Sequence, residues 1–428
     1  MRSQARFLRL ATADIWRRLW ASDLFGKILG TFGVRLLQVA LGLVTSVMVA
    51  RVLGPEGRGL YAVAIAIGAT GVQLGNLGLH SANTFWAARD REYVAPLLAN
   101  SLWVGLGAGS LGALLAGLGF TLLPAFAPLD GLLLALALGW VPLGLGYLLL
   151  QSLILGVQDV KGYNLVEIGT KFVGFAGLVA LLAAGGLSPE TALATTLVSS
   201  GVGFLWLLWL LRDHLKLPPR LSVALLKENL PYGLKAYLAA LLAFTVLRVD
   251  LFLVQAKLGS EDAGFYSIAV TLAEMVYMLP VVVGTMLFPK LSAMPDEAAK
   301  WNLTRKTAAL LGLLMAAVGG VTVILAEPVV RLLYGASFLP AVPALGWLMP
   351  GIVLLSINVV LMNYFASQAM PWVTVISPFI AALLNIGLNL ALIPAMGIRG
   401  AALASTLSYA SMLLCSLVYL GLARKKVA

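Results

Sequence analysis

The sequence predicts an all-helical integral membrane protein built from two related halves, and three observations support that prediction. Of the 428 residues, 61% are hydrophobic and only 11% are charged, and the mean hydropathy is +0.96. Soluble domains carry about 25% charged residues, so this much apolar side chain must be covered by lipid. The other two observations are a series of apolar stretches and an internal repeat.

Twelve apolar stretches are each long enough for a helix of about 20 residues, the length that crosses a bilayer. We place these spans near residues 29–53, 59–86, 95–122, 130–156, 163–185, 189–211, 230–257, 263–289, 303–325, 338–366, 370–393 and 399–422. The longest link, residues 212–229, joins the two halves. No stretch remains for a soluble domain.

The internal repeat relates residues 49–64 to residues 254–269 without a gap. Two further echoes follow in the same order, because residues 137–140 return at 344–347 and residues 192–197 return at 402–407. In the first pair of stretches, the shared positions are Val49/Val254, Leu53/Leu258, Gly54/Gly259, Glu56/Glu261, Gly59/Gly264, Tyr61/Tyr266 and Ala64/Ala269. The repeat predicts two homologous six-helix lobes, residues 27–215 and 216–428, related by a pseudo-twofold axis.

The amino-terminal segment, residues 1–26, is basic and amphipathic. It lacks the continuous apolar core and small-residue cleavage site of a signal peptide. Its arginines stand opposite apolar residues at helical spacing, which suits a helix lying on the membrane surface.

The distribution of lysine and arginine predicts the orientation. The amino end, every second loop and the carboxyl end together hold 20 of these residues, whereas the alternate loops hold five: Arg51, Arg58, Lys257, Arg331 and Arg399. Basic loops stay in the cytoplasm, so we expect both termini there. The net charge of +11 is then explained by loops, and no basic run suggests nucleic-acid binding.

Several charged side chains fall inside the predicted spans, where each costs roughly 2.5–3.5 kcal/mol unless it faces protein or water. We predict a wet, cationic cavity between the lobes that binds an anionic substrate through Arg35, Lys171, Lys235 and Arg248. Three carboxylates are the candidates for coupling transport to H⁺ or Na⁺: Glu167, Asp250 and Glu274. Amides that recur on single helical faces are expected to line the cavity: Gln38, Gln73, Asn76, Asn385 and Asn389.

Each of these assignments has a purely structural alternative. Lys235 lies near the end of its span and can snorkel towards the membrane surface. Glu167 and Lys171 stand four residues apart and can neutralise each other. Asp250 and Glu274 can neutralise a neighbouring arginine. Buried amides also join helices, at about 0.6–2 kcal/mol each.

The sequence lacks the glycine-rich loop of ATP-hydrolysing proteins and any histidine–cysteine cluster with metal-ligand spacing. It also lacks a catalytic arrangement with a soluble site to work in. The repeat favours a carrier over a membrane enzyme, so we expect no enzymatic activity, no cofactor and no metal.

Three stretches resemble motifs of bacterial polysaccharide transporters, the O-antigen and exopolysaccharide flippases of the multidrug/oligosaccharidyl-lipid/polysaccharide (MOP) superfamily. Residues 50–61 resemble the opening signature of that family. Residues 333–338 resemble its Leu-Tyr-Gly-x-x-Phe segment. Residues 385–402 resemble its Leu-Asn-x-x-Leu-Ile-Pro and Gly-Ile-x-Gly-Ala-Ala patterns. The similarity covers nearly the whole chain.

The resemblance implies two six-helix bundles around a central cavity, in the inner membrane of a bacterium. It implies that undecaprenyl-diphosphate-linked oligosaccharide moves from the cytoplasmic to the periplasmic leaflet by alternating access, driven by an H⁺ or Na⁺ gradient. Glycosyltransferases and a glycan polymerase are the protein partners it implies.

Three other functions remain open at this point. A lipid II flippase of the same superfamily typically has fourteen spans. A cation-coupled multidrug antiporter should expose carboxylates more than arginines in its cavity. A membrane glycosyltransferase or ligase would need large extracytoplasmic loops, and every such loop here is short.

Overall fold

The computed structural model describes residues 23–215 and 220–425. Most of the predicted amphipathic segment, residues 1–22, therefore lies outside the described residues. The described part of the chain is almost entirely helical and contains no β-strand. Helices satisfy every backbone hydrogen bond internally, which lipid requires because it offers no partners.

The helices of the first half are α1 Asp23–Asn76, α2 Leu79–Arg89, α3 Val94–Leu102, α4 Gly109–Leu122, α5 Gly131–Gly156, α6 Val160–Ala183 and α7 Pro189–Leu210. A π-helical stretch, Trp103–Ala108, joins α3 to α4. The helices of the second half are α8 Val223–Leu258, α9 Ser260–Ala293, α10 Glu297–Leu333, α11 Ala341–Ala366, α12 Val373–Met396 and α13 Ile398–Lys425. Short 3₁₀ turns cover Arg91–Tyr93, Pro124–Phe126, Arg212–His214 and Ala336–Phe338.

Eleven helical segments of the described chain are long and apolar enough to cross a membrane. One of them, Leu37–Asn76, covers parts of both of the first two predicted spans, because α1 continues through a kink at Gly54. Counting the two arms of α1 separately gives the twelve crossings that the sequence predicts.

The repeat glycines Gly54 and Gly259 have the same backbone conformation. Gly54 has φ 68° and ψ −175°, and Gly259 has φ 91° and ψ −177°. Essentially only glycine adopts this region, because a Cβ atom would clash with the backbone. Each glycine turns the chain between the first two spans of its half, which explains why the repeat retains it.

The second predicted span, residues 59–86, is not continuous. Leu77 and Gly78 have φ values of 48° and 79°, which end α1 at Asn76 and start α2 at Leu79. The side-chain oxygen of Asn76 accepts a hydrogen bond from the backbone N–H of His80 at 3.2 Å and so caps the restart. Apolar length alone does not reveal such a break.

Helices α1–α7 pack chiefly on one another, and so do helices α8–α13. They form two bundles, which we call the amino-terminal and carboxyl-terminal lobes. The most extensive contact between the lobes joins α1 to α9. Large apolar side chains cover much of the outer surface, as a lipid-facing protein requires, for example Leu114, Phe126, Leu313, Ile324 and Leu332.

Candidate functional site

The two lobes approach most closely at a pair of glycines that the repeat aligns, Gly59 in α1 and Gly264 in α9. A Cβ atom added to Gly59 would collide with the carbonyl oxygen of Ser260, and one added to Gly264 would collide with the carbonyl oxygen of Pro55. Only glycine therefore lets these two helix backbones meet. We call this contact the Gly59 end of the lobe interface.

A second glycine pair joins the lobes at the opposite end. Gly78, at the break before α2, faces Gly233 in α8, and a Cβ atom on Gly233 would lie 2.6 Å from the carbonyl oxygen of Gly78. Beside this pair, the Tyr237 hydroxyl donates to the carbonyl oxygen of Leu74 at 2.9 Å. That carbonyl belongs to the last turn of α1, which has no partner within the helix. We call this contact the Gly78 end.

The two ends are separated by about the thickness of a membrane. The helix from Gly59 to Gly78 has a length of about 28 Å at 1.5 Å per residue, and the hydrocarbon core of a bilayer is about 30 Å thick. The lobes therefore touch near both membrane surfaces.

Arg58 crosses the interface beside the Gly59 contact. Its Nε donates to the Ser267 hydroxyl at 3.2 Å, and its Nη2 donates to the Thr271 hydroxyl at 3.3 Å. The residue is 8% exposed. The sequence predicted that Arg58 lies in a loop, and this prediction was wrong. The helix resumes directly after Gly54, and Arg58 therefore lies on a helix and contacts the other lobe.

Arg248 and Glu274 form an ion pair within the carboxyl-terminal lobe. Nη2 of Arg248 lies 2.9 Å from Oε1 of Glu274, and the side chains are 33% and 41% exposed. Glu274 lies seven residues after Ser267 and three residues after Thr271 on α9. These three residues therefore share one helical face, the face that Arg58 contacts.

Asp250 is buried in the carboxyl-terminal lobe and is 2% exposed. Its carboxylate accepts hydrogen bonds from the Tyr266 hydroxyl at 2.5 Å, the Ser405 hydroxyl at 2.8 Å and the Leu251 N–H at 2.8 Å. Among the described residues, no lysine or arginine pairs with it within 4 Å. The protein therefore holds this buried carboxylate by neutral donors.

The hydrogen-bond chain continues from Ser405 to two amides of α12. Asn385 Nδ2 donates to the Ser405 hydroxyl at 3.4 Å, and Asn389 Nδ2 donates to Asn385 Oδ1 at 2.9 Å. Both amides are 0% exposed, and Asn389 Oδ1 has no hydrogen-bond partner within the described structure. We call Asp250, Asn385, Asn389 and Ser405 the Asp250 cluster. Asn385 and Asn389 therefore lie inside one lobe, whereas we expected them to line a cavity between lobes.

A cavity of about 200 Å³ lies among α8, α9, α11 and α13. Asp250 and Glu274 both line it, together with the tyrosines Tyr277 and Tyr409 and several apolar side chains. This volume accommodates several water molecules. Glu274 of the half-buried ion pair and Asp250 of the buried cluster therefore face the same cavity.

Two of the other predicted basic residues, Lys171 and Lys235, do not line this cavity. Lys235 is half-buried, and its Nζ lies 5.0 Å from the centre of the Trp372 ring, a cation–π contact within the same lobe. Lys171 is exposed on α6 and Glu167 is half-buried. These two described side chains form no ion pair within 4 Å. The side chain of Arg35 lies outside the described part, so its role stays a prediction.

The amide stripe of the second span serves mainly the amino-terminal lobe. Asn76 is 1% exposed and caps α2, so it does not line an open cavity. Asn83 donates to the Ser101 hydroxyl at 2.9 Å. Gln73 and Gln38 are half-buried on α1.

Three residues of this site were not predicted from the sequence: Arg58, Tyr266 and Ser405. Tyr266 is the repeat partner of Tyr61, and Ser405 lies in the echo at residues 402–407. Both therefore lie within the internal repeat, which indicates the shared fold of the two halves and not the role of a single side chain.

Solved membrane transporters share this fold. The inward-facing conformation of a multidrug resistance MATE family transporter of the MOP superfamily gives a TM-score of 0.67 at 18% identity, covering 91% of this chain and 96% of that chain. The lipid II flippase MurJ, in an inward closed conformation, gives 0.71 at 16% identity, covering 92% and 87%. A mutant of the Vibrio cholerae MATE transporter VcmN gives 0.65 at 14%, covering 92% and 94%. The chain thus shares the fold of these transporters.

The family model described as polysaccharide biosynthesis protein matches residues 48–343. This match covers more than half of the chain, so the chain belongs to that family, and the resemblance seen in the motifs is confirmed. A comparison with curated proteins finds no match.

Proposed function

We propose that the protein is a flippase that carries an oligosaccharide linked to undecaprenyl diphosphate from the cytoplasmic to the periplasmic leaflet of a bacterial inner membrane. Membership of a polysaccharide biosynthesis family and the fold of a transporter support this proposal. The observation that carries the substrate class is the buried cation Arg58, which crosses the lobe interface and contacts the face of α9 that also carries Glu274, the partner of Arg248. Charges at membrane depth are normally functional.

Alternating access follows from the two contacts between the lobes. Opening the Gly78 end alone exposes the interface to one side of the membrane, and opening the Gly59 end alone exposes it to the other. On the lysine and arginine bias, we assign the Gly78 end to the cytoplasm and the Gly59 end to the periplasm. The head group then crosses between the lobes while the lipid tail stays in the bilayer.

The Asp250 cluster is the proposed site of ion coupling. It gathers a carboxylate, a hydroxyl and amide oxygens, the ligand types that hard cations prefer. Asn389 Oδ1 is a buried acceptor without a donor, and such an atom costs about 1–3 kcal/mol unless something binds it. Na⁺ or a proton on the carboxylate would change the hydrogen bonds that join α8, α9, α12 and α13.

The test is the sidedness of the lipid-linked oligosaccharide in cells depleted of the protein. We expect depletion to strand the diphosphate-linked glycan on the cytoplasmic face and the wild type to restore export, whereas Arg248→Ala should not. Normal export in depleted cells would overturn the proposed function. Export restored by Arg248→Ala would leave the function intact and remove Arg248 from the substrate site.

A cation-coupled multidrug antiporter is the second candidate. The observation in its favour is that two carboxylates, Asp250 and Glu274, line one cavity. In that case depletion would sensitise cells to cationic drugs and would leave glycan export unchanged.

A further inference from the structure

Arg58 is a buried cation whose hydrogen-bond partners are both neutral. The residue is 8% exposed, and its bonds to Ser267 and Thr271, at 3.2 and 3.3 Å, are at or just beyond the long end of the usual N–H···O range. Among the described acidic side chains, none lies within 4 Å of it in an ion pair. Because buried charges are normally paired, this guanidinium would stabilise an anion that reached it.

The acidic residue on the same face of α9 is already engaged. Glu274 lies close enough to Arg58 to interact with it electrostatically. Its Oε1, however, pairs directly with Arg248 at 2.9 Å. Arg58 therefore has no carboxylate in direct contact, although Glu274 lies on the same face of α9.

Arg58 also helps to hold the lobes together. At the Gly59 end the two backbones meet at Gly59 and Gly264, and buried apolar side chains of α1 and α9 pack in one hydrophobic core. The bonds from Arg58 to Ser267 and Thr271 run from the amino-terminal to the carboxyl-terminal lobe directly beside the glycine pair. Loss of those bonds would weaken the closed contact.

We propose that Arg58 is a latch operated by an anion. A diphosphate group that enters between the lobes binds Arg58 in place of Ser267 and Thr271, and the Gly59 end is released. The inference rests on the proposed function for the arrival of such a group. Within that function, arrival of the diphosphate from the Gly78 end would release the opposite end.

A phosphate binds the Arg58 guanidinium more strongly than the hydroxyl groups of Ser267 and Thr271 do. A guanidinium can donate two parallel hydrogen bonds to a phosphate, whose negative charge adds an attraction that the uncharged hydroxyl groups of Ser267 and Thr271 do not offer. Ser267 and Thr271 each accept a single bond. A ligand shifts a conformational equilibrium only by its differential affinity for the two states. Phosphate has a higher affinity for the open state, because Arg58 can bind it only when its bonds to Ser267 and Thr271 are broken.

The test measures the distance between spin labels across the Gly59 end. Glu56 and Glu261 are exposed and correspond in the repeat, so labels go on Glu56→Cys and Glu261→Cys. The chain has one native cysteine, which Cys415→Ser removes. The protein is placed in phosphatidylcholine nanodiscs, and inorganic pyrophosphate or farnesyl diphosphate is added. A separate sample contains phosphatidylglycerol instead.

We expect both diphosphates to raise the long-distance fraction in the wild type at least threefold. Arg58→Gln should show a raised fraction without ligand and no further response. Arg51→Gln is the matched control. Arg51 also bridges the lobes, but it is exposed and donates to the carbonyl oxygens of Leu332 and Leu333. That variant should keep the diphosphate response.

Three outcomes would overturn the latch. These are an unresponsive wild type, an Arg58→Gln variant that responds like the wild type, and a response to phosphatidylglycerol alone. A second label pair, Asp90→Cys with Lys227→Cys, reports whether the Gly78 end and the fold of each variant are preserved. Glycan sidedness in cells is a separate readout, so the latch and the flippase function can fail independently.

Discussion

The glycine contact at the Gly59 end provides a test that needs only one added methyl group. In Gly264→Ala, the new Cβ would collide with the carbonyl oxygen of Pro55, which is backbone and cannot rotate away. The two helices must then separate. Overpacking of this kind costs about 1–3 kcal/mol. The gain in helix propensity from alanine is the same in the open and the closed state, so it cancels. The closed contact should lose roughly 1–3 kcal/mol, a factor of about 5–150 in its population.

The assay is the Glu56–Glu261 label pair described above, read without ligand. Gly264→Ala should move most molecules to the long distance. Gly233→Ala, whose Cβ would lie 2.6 Å from the carbonyl oxygen of Gly78, should instead open the Gly78 end. Gly320→Ala is the control, because its Cβ would meet nothing within 4 Å.

Because the two variants are expected to open opposite ends, their label distances distinguish an effect on one lobe contact from a general loss of structure. If Gly264→Ala is folded and keeps the wild-type distance distribution, the glycine pair is not a closing contact, and the reasoning from backbone approach fails. If both variants shift both label pairs alike, the ends are not independent, and alternating access through them is refuted.

Three further predictions concern single residues. Asp250→Asn should abolish the dependence of transport on Na⁺ or pH while leaving the protein folded, because the amide preserves the shape of the side chain and removes its charge. Gradient-driven uptake in proteoliposomes measures the ion dependence. Tyr237→Phe removes the cross-lobe bond to Leu74, worth about 0.5–1.5 kcal/mol, so the Asp90–Lys227 label distance should lengthen in a larger fraction of molecules. Gly259→Ala should lower thermal stability, because a conformation with φ 91° costs a non-glycine residue about 1–3 kcal/mol; a melting curve without loss of stability would contradict that explanation.

Properties that depend on residues close together along the chain could be predicted from the sequence. The length and apolar character of each span determine that it crosses a membrane as a helix, because lipid leaves the backbone no other way to satisfy its hydrogen bonds. The internal repeat predicted two lobes. Gly54 and Gly259 occupy the same position in that repeat because only glycine adopts the backbone conformation needed there. Asp250 and Glu274 were identified as candidates by the cost of placing a charge in lipid.

Properties that depend on packing were decided only by the tertiary structure. Asp250 is held by Tyr266 and by Ser405, which lies 155 residues further along the chain, and no periodicity predicts such a pair. The sequence predicted Arg58 to be a loop residue, whereas the kink at Gly54 places it on a helix from which it reaches across the lobe interface. The sequence thus determined which segments enter the membrane, because transfer into lipid is a property of each segment. Which buried charges meet, and where the lobes touch, followed from side-chain contacts between segments that are distant in the chain.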